Sequence, residues 1–319
     1  MYIHELSDWP RFQWILGKLA ASLASVRHRQ GWLAGHMEAL GIAPPRDAND
    51  SERLLEAGNF HEPLTSRRLL GWHASLFPAG RFGWSRSGKK SWRDDRTGPA
   101  QVLGGPAGGE RILFEAPKAE RLEEETHRFL GWFEGDSGID PVLKAGLAHF
   151  WFVTIRPFDD GNGRIARAIA DLALARCEKG PRRFYSMSAQ VERERGAYYD
   201  ILERTQKGTM DITPWMEWFL GCLGRALDGA RDELGSARGR AVLTSRPGEI
   251  PINDRQRLVV NRLLEGSEGK ITSSRYAKLV RCSQDTAHRD ILFLLANRIL
   301  ARNPGGGRST SYRLAAGPS

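Results

Sequence analysis

Apolar residues recur at helical spacing along most of the chain. The first such pattern follows Asp8, a good helix cap, and Pro10, whose missing N–H costs nothing in a first turn. This pattern predicts a helix from residue 9 to about residue 41. The same spacing predicts further helices over residues 65–76, 119–133, 140–153, 163–177, 192–206 and 213–234. The sequence therefore predicts a mainly α-helical protein.

Two segments in the first part of the chain depart from this pattern. Residues 43–51 combine Pro, Asp and Asn and predict a loop. Residues 80–109 are rich in Gly, Arg and Ser, and short apolar pieces occur at 101–103 and 111–114. These pieces predict a β-hairpin flap that interrupts the helical region.

A second, smaller unit is predicted after a mixed polar run at 237–252. A helix pattern begins at residue 253 and is followed by residues 271–274, two closely spaced helices and a Gly-rich hairpin at 303–313. Ser283 can cap the second of the two helices. This order resembles a winged helix-turn-helix, in which one helix and the wing contact DNA. The candidate base or phosphate contacts are Gln284, His288, Arg289 and, at the wing tip, Arg308.

The positive charge of the chain is concentrated in this second unit. Of the net charge of +9, residues 251–319 contribute +7, from twelve Lys/Arg and five Asp/Glu. A basic module is typical of proteins with a polyanionic partner, and together with the helix pattern it favours DNA binding. A solvated positive face and a contact surface for another protein are the alternatives.

Composition and length limit the remaining classes. A chain of 319 residues with 40% hydrophobic content is long enough for two or three globular domains. The central apolar stretch at 145–155 is far shorter than the roughly 20 residues that a membrane span needs, and the first residues lack a secretory signal pattern. Cys177, Cys222 and Cys282 are too far apart for a disulfide framework or a zinc knuckle. We therefore expect a cytoplasmic protein without a membrane partner.

The candidate chemistry lies in a loop between two predicted helices. Residues 156–167 have the sequence Arg-Pro-Phe-Asp-Asp-Gly-Asn-Gly-Arg-Ile-Ala-Arg. Its glycines allow backbone N–H groups to converge where the next helix begins, which favours an anion. Arg164 and Arg167 share a helix face, so both guanidinium groups can reach phosphate oxygens. Asp160 can hold a divalent cation that bridges phosphates.

Two other interpretations of the loop stay open at this point. Asp, Gly and Asn could form an ordinary turn with solvated arginines beside it. Residues 161–166 also fit the G-x-G-x-x-A pattern of dinucleotide-binding loops. That pattern requires a preceding strand and a βαβ unit, whereas the context here is predicted to be helical.

From Pro157 to Arg167 the loop resembles the Fic family signature, H-P-F-x-[D/E]-G-N-G-R-x-x-R, at eleven consecutive positions. The resemblance extends over about residues 60–230, and residues 1–41 are similar to the helical extension that precedes many Fic domains. It implies a helical domain that transfers AMP from ATP, with Mg²⁺, to a hydroxyl of a target protein. The expected domains are an N-terminal helical extension (1–59), a Fic-type nucleotide-binding domain (60–236), a linker (237–252) and a winged helix-turn-helix domain (253–319).

The resemblance also implies a role for each residue of the loop. Asp160 would bind Mg²⁺, and Phe158 would anchor the loop in the core. The flap at 103–113 would align the target segment by strand-like pairing. The nucleotide would be bound by Asp160, Gly161, Asn162, Gly163, Arg164 and Arg167.

The chain departs from the family pattern at the position of the catalytic base. The family has a histidine there, and this chain has Arg156. A guanidinium stays protonated and has no acceptor nitrogen, so it cannot take a proton from the attacking hydroxyl. His149 lies two helical turns upstream, roughly 10 Å away by helix rise, and is predicted to be structural.

Whether the chain is an active enzyme is therefore left open by the sequence. We expect an adenylyltransferase site that binds nucleotide but is impaired in transfer. The alternative is a catalytically degenerate, nucleotide-sensing regulator that binds DNA, and transfer of another phosphate-containing group is a third option. A homodimer also remains open.

A second departure from many relatives concerns regulation. Those relatives carry an inhibitory helix with the pattern [S/T]-x-x-x-E-[G/N], and no match occurs between Leu40 and Pro63. We therefore expect this form of autoinhibition to be absent.

Overall fold

The computed structural model describes residues 1–39, 60–77, 92–96, 98–104, 111–180, 183–244, 253–264, 270–297, 299–303 and 310–315. The chain divides into two compact units, Met1–Gly229 and Ala230–Ser319. The flap tip at 105–110, Arg308, and most of the region searched for the inhibitory motif lie outside the described residues. Within the described part, no helix has the length and apolarity that a membrane crossing requires.

The first unit consists of helices with one hairpin between them, as predicted. Its helices are α1 (Leu16–Ala39), α2 (Ser66–Leu76), α3 (Leu122–Glu134), α4 (Pro141–Ile155), α5 (Asn162–Glu178), α6 (Met187–Arg193), α7 (Arg195–Gln206) and the first part of α8 (Thr213–Thr244). The flap is confirmed as an antiparallel pair, β1 (Gln101–Gly104) and β2 (Arg111–Glu115). Short 3-10 helices cover Ile3–Glu5 and Ala119–Arg121.

Helices α4 and α5 form the centre of this unit. Nearly every residue of α4 is buried, as expected for a helix that is apolar on all faces. Asp140 is the N-cap of α4, and its side chain accepts a hydrogen bond from the N–H of Val142 at 2.9 Å. Gly146 of α4 allows α8 to approach, because a Cβ there would lie 2.9 Å from the ring of Phe219. The indole N–H of Trp215 then donates to the Gly146 carbonyl at 2.9 Å.

The N-terminal helix begins later than predicted, at Leu16 rather than at Trp9. The residues before it form short turns and also bond to distant parts of the chain. The buried Trp9 indole donates to the carboxylate of Glu125 on α3 at 2.9 Å. The N–H of Gln13 donates to the carbonyl of Met210 at 2.8 Å. Burial and long-range hydrogen bonds therefore outweigh the local capping signal in this segment.

Helix α8 also differs from the sequence prediction. Its pattern was expected to end near residue 234, with a linker over 237–252, but the helix continues to Thr244. Ala and Arg make up four of the eight residues from 237 to 244, and these residues favour a helix over an irregular connection. The rest of the expected linker lies outside the described residues, and the domain boundaries stay predictions.

The second unit combines short helices with a small sheet. Its elements are α9 (Asp254–Leu264), β3 (Ile271–Thr272), α10 (Ser273–Leu279), α11 (Gln284–Ala296), β4 (Leu300–Arg302) and β5 (Ser311–Leu314), with the antiparallel strand order β3-β5-β4. Ser283 caps α11 by accepting from the N–H of Thr286 at 3.2 Å, which confirms that prediction. The element order agrees with the sequence pattern, and the winged-helix assignment itself stays a prediction.

We expect Trp215→Ala to destabilise the first unit by about 3–5 kcal/mol, because it removes a large buried ring and its hydrogen bond to Gly146. Urea unfolding followed by far-ultraviolet circular dichroism measures the change. The matched control is Trp32→Ala, since Trp32 is 38% exposed and its loss should cost about 1 kcal/mol or less. Equal losses in the two variants would contradict the central place given to the contact between α4 and α8.

Candidate functional site

The candidate loop connects the end of α4 to the start of α5. Helix α4 ends at Ile155, and the next residue, Arg156, has left-handed backbone angles of φ 48° and ψ 63°. Gly161 precedes α5 with φ 80°, a conformation that residues with a side chain seldom adopt. A Cβ at Gly161 would also lie 3.0 Å from the ring of Phe77. The turn therefore requires glycine at this position. Because the preceding element is a helix, the dinucleotide-binding interpretation is wrong.

The side chain of Asn162 closes the loop from inside. Its Oδ1 accepts from the N–H of Phe158 at 3.0 Å, and its Nδ2 donates to the carbonyl of Phe158 at 2.6 Å. Phe158 is buried and stacks on His73 with the ring centroids 4.2 Å apart, which confirms its predicted anchoring role. The side chain of Asn162 thus shapes the loop. That Asn162 contacts a nucleotide stays a prediction, and its backbone N–H is the group placed at the start of α5 for such a contact.

The first turn of α5 presents backbone donors. Gly161 provides no side-chain cap, and the first backbone bond of the helix runs from the N–H of Ile165 to the Gly161 carbonyl at 3.0 Å. Among the described residues, no acceptor is bonded to the N–H groups of Asn162 and Gly163. Such donors at a helix N-terminus attract an anion.

Three guanidinium groups accompany this turn. The Cζ of Arg164 lies 4.8 Å from the ring centroid of Phe77. Arg167 extends back along its own helix, with Nη1 3.8 Å from the point that a Cβ on Gly163 would occupy. Burial lowers the pKa of Arg156, although a guanidinium remains a cation at neutral pH.

Two of these arginines carry a buried donor without a partner. Within the described part of the chain, the Nε atoms of Arg156 and Arg167 are both buried and make no hydrogen bond. An unpaired buried donor costs free energy. Solvent does not reach these two Nε atoms, so it is the positive charge of the guanidinium groups that favours binding of a phosphate.

Asp160 is the residue that could hold a metal ion. It is exposed beside the turn, and its Oδ1 accepts from the N–H of Gly161 at 2.6 Å. The described residues contain no cluster of three or more His, Cys, Asp or Glu side chains suited to a metal. Mg²⁺ is commonly held by one or two carboxylates together with substrate phosphates and water. A single exposed carboxylate next to an anion site fits this ion.

His149 lies in the core rather than at the loop surface. It is 1% exposed, and its Nε2 lies 3.0 Å from the hydroxyl of Tyr198. Burial, assisted by the charge of Arg167, lowers the pKa of His149 to about 3, so the ring is neutral. This confirms the prediction that His149 is structural and does not replace the missing base.

Arg93 holds the first residues of the loop in place, and no sequence pattern predicted this role. Its side chain is buried, its Nε donates to the carbonyl of Arg156 at 2.8 Å, and its backbone N–H donates to the carbonyl of Pro157 at 2.9 Å. The same guanidinium pairs with Asp95 and donates to the carbonyl of Pro117 beyond the flap. One arginine in an Arg-rich segment gives no sequence signal, and only its burial distinguishes it.

The flap presents an apolar pair to solvent. Leu103 of β1 lies opposite Ile112 of β2, and these side chains are 53% and 44% exposed. Arg111 at the start of β2 makes two hydrogen bonds with Glu203 of α7, at 2.7 and 2.9 Å. No third strand joins this sheet among the described residues, so its edges are available to an extended segment.

The second unit places three of the four predicted DNA contacts together. Gln284, His288 and Arg289 are all exposed on α11, whereas Arg308 lies outside the described residues. Asp290, the next residue of α11, is buried and accepts from the side-chain amide of Gln256 at 2.8 Å. The exposed face of α11 is therefore separated from this carboxylate.

Comparisons with known proteins identify two regions. Residues 63–174 match the model of the Fic/DOC family, and residues 2–55 match a domain of unknown function, DUF4172. The protein adenylyltransferase Fic of Culex quinquefasciatus is 34% identical over 103 residues, which cover 32% of this chain and 19% of that protein. The relative of the same name from Nematostella vectensis is 32% identical over 116 residues, or 35% of this chain and 25% of that protein. The chain thus spans a quarter or less of the length of these curated relatives.

Solved structures of Fic proteins are also similar to this chain. A Fic family protein from Desulfovibrio desulfuricans G20 is 18% identical, with a TM-score of 0.46, over 94% of this chain and 86% of that chain. A Fic domain containing signaling protein from Bacteroides thetaiotaomicron is 22% identical, with a TM-score of 0.44, over 64% and 82% of the two chains.

The family match and the site geometry fall on the same residues. The matched region, 63–174, contains the flap, α4, the closed loop and most of α5. The relatives that share this region carry the name of the family. The chain is therefore a Fic-domain protein.

Proposed function

We propose that this chain is a protein adenylyltransferase of the Fic type that binds ATP and Mg²⁺ at the loop between α4 and α5, with transfer impaired by Arg156. The observation that carries the proposal is the convergence of donors and charge at one turn. The N–H groups of Asn162 and Gly163, the guanidinium groups of Arg164 and Arg167, and the carboxylate of Asp160 all belong to it. The names of the curated relatives support the reaction class.

The residues of the turn would divide the work of nucleotide binding. The phosphates would lie against the first turn of α5, where Arg164 and Arg167 would offset their charge. Asp160 would hold Mg²⁺, which when bound withdraws charge from the phosphate oxygens. Backbone donors at a fixed helix end would keep the phosphates in one orientation during the reaction.

The reaction itself needs a base, and this loop lacks the histidine that the family has at the position of Arg156. The hydroxyl oxygen of the target forms a bond to the α-phosphorus, the bond to pyrophosphate breaks, and the hydroxyl proton must pass to an acceptor. Arg156 is a cation without an acceptor nitrogen, so it cannot receive that proton. Its positive charge would instead attract a phosphate. We therefore infer tight nucleotide binding together with slow transfer.

The flap supports a protein as the acceptor of the AMP group. Its open edges suit an extended segment, and the exposed pair of Leu103 and Ile112 offers an apolar contact for side chains of that segment.

Within the chain, Cys177, Cys222 and Cys282 are free thiols, which agrees with the reducing cytoplasm as the proposed location.

A second function is favoured by the second unit. We infer that it binds DNA through α11, because residues 251–319 carry +7 and Gln284, His288 and Arg289 are exposed together. A nucleotide site without a base, on the same chain, would then make the protein a nucleotide-sensing regulator. This alternative retains the binding site and gives up the transfer step. Transfer of another phosphate-containing group is a third option, and a homodimer is compatible with all three.

We expect Arg156→His to raise AMP transfer by about 10² to 10⁴-fold, because it provides a base with a pKa near neutrality. Incubation with labelled ATP, Mg²⁺ and cell lysate, followed by quantification of labelled protein, measures the change. The matched control is Arg156→Gln, which removes the same positive charge without supplying a base. If Arg156→His labels no more protein than Arg156→Gln, the adenylyltransferase proposal fails.

Replacing Arg167 by Ala should weaken binding of ATP with Mg²⁺ by about tenfold or more, since a charge-assisted hydrogen bond to phosphate is lost. Arg164→Ala should act in the same direction. Isothermal titration gives the dissociation constants. Arg195→Ala is the control, because the Arg195 side chain is 65% exposed and pairs only with Glu192 among the described carboxylates. Unchanged affinity in both loop variants would exclude this turn as the phosphate site.

For the second unit, we predict binding to duplex DNA that falls steeply as salt is raised. Arg289→Ala in the full chain should weaken this binding by about tenfold, whereas Arg195→Ala should leave it unchanged. Fluorescence anisotropy at several salt concentrations measures both effects. A chain that ends at residue 252 should lose the binding, and equal affinity in that shorter chain would remove the role assigned to α11.

A further inference from the structure

Residues 2–15, which we name the N-terminal strap, lie against the flap. The strap contacts β2 through His4, whose Nε2 is 2.8 Å from the backbone carbonyl of Glu115. Because a carbonyl can only accept, Nε2 carries the proton and donates it. His4 is 6% exposed, and burial lowers its pKa, so the ring is neutral near pH 7. The hydrogen bond is thus a buried, neutral link between strap and flap.

Aromatic rings of the strap also surround the buried residue of β2. Phe114 is 1% exposed, whereas its neighbours in β2 are half-buried or exposed. The ring of Tyr2 meets Phe114 edge-on at 5.2 Å between centroids, and the ring of His4 does so at 5.7 Å. Edge-to-face contacts of this kind are favourable and directional. The strap therefore fixes the side of β2 that faces the core.

The other end of the strap is tied to helices of the same unit. Trp9 donates to Glu125 on α3 at 2.9 Å, and Trp9 is itself buried. Farther along, the N–H of Ile15 donates to the hydroxyl of Thr213 at the start of α8, at 2.9 Å. The strap is therefore fixed to helices at Trp9 and Ile15 and contacts the flap through Tyr2 and His4, so it can hold β2 in a fixed position.

The flap needs such support because a two-stranded hairpin is marginally stable in water. At the start of β2, the ion pair of Arg111 with Glu203 is largely exposed on the arginine side and contributes little. At the end of β2, the side chains of His4 and Phe114 are buried, the bond from His4 to Glu115 is partly buried, and Tyr2 is half-buried. The buried end therefore provides most of the order of the strand.

We propose that the N-terminal strap is a positioning element for the flap, which holds the strand edge where a target segment would pair. The proposal rests on the proposed function, since docking of a target is the task given to the flap there. It gives a role to the first part of the region that matches a domain of unknown function, residues 2–55. His4 is the positioning residue at the centre of this contact.

Hydrogen–deuterium exchange of the full chain tests the proposal. His4→Phe keeps an aromatic ring beside Phe114 but loses the donor to Glu115. We expect amides of β1 and β2 to exchange about fivefold faster in this variant, the change typical of one lost buried hydrogen bond. His4→Gln, whose side-chain amide can still donate, should stay within about twofold of the unchanged chain. Amides of α5 should exchange at the same rate in all of these proteins.

The matched control is His28→Phe, the same change at an exposed histidine on α1, which should leave the flap unaffected. Tyr2→Leu is a second variant, and it should speed exchange in β2 without disturbing α5. Unchanged exchange in the flap of His4→Phe would overturn the proposal. Equal acceleration in α5, or flap exchange as fast in His4→Gln as in His4→Phe, would overturn it too.

The outcome is independent of nucleotide transfer, because no nucleotide is present during exchange. A silent Arg156→His variant in the labelling experiment would therefore defeat the proposed function while leaving the flap measurements as they are. Conversely, normal labelling with an unaltered flap in His4→Phe would defeat only the role of the strap.

Discussion

The side chain of Asn162 bonds to both the N–H and the carbonyl of Phe158, and this closure determines where the turn ends and α5 begins. Phe158 is held in turn by stacking on His73. With the loop closed in this way, Gly161 takes its left-handed conformation, and the N–H groups of Asn162 and Gly163 have no bonded acceptor among the described residues. The proposed anion site therefore depends on a pair of short-range hydrogen bonds within the loop.

The charge around the turn separates binding from chemistry. Arg156 and Arg167 each bring a positive charge to the turn, which favours an anion there. What the turn lacks is a histidine base at position 156. His149, the nearest histidine upstream in the chain, is enclosed in the core with a pKa lowered to about 3. In the proposed function, Arg156 would thus add positive charge for the phosphates in place of a base.

The flap has two connections through buried residues, one to the loop and one to the N-terminal strap. Arg93 joins the first peptides of the loop to Pro117, just beyond β2. His4 joins the end of β2 to the N-terminal strap. A hairpin with exposed edges can be kept in one place only by contacts of this kind, because its own ladder is short. Arg93 and His4 thus hold the flap in place, and Arg93 also holds the loop.

Much of this protein was predictable from local sequence. Helices α2 to α5 and α7, the flap, the cap at Ser283 and the loop all follow from spacing and residue type, because these signals act within a few residues. The short helix α6, Met187–Arg193, was not predicted. The eleven matching positions from Pro157 onward were enough to indicate the family, and Arg156 alone raised the question of activity. The start of α1 and the roles of Arg93 and Asn162 depended on tertiary structure. The bonds of Trp9 to Glu125 and of Arg93 to Arg156 join residues that are far apart in the sequence, and no local pattern encodes their proximity. The side chain of Asn162 turns into the loop, although a polar residue in a turn is expected at the surface.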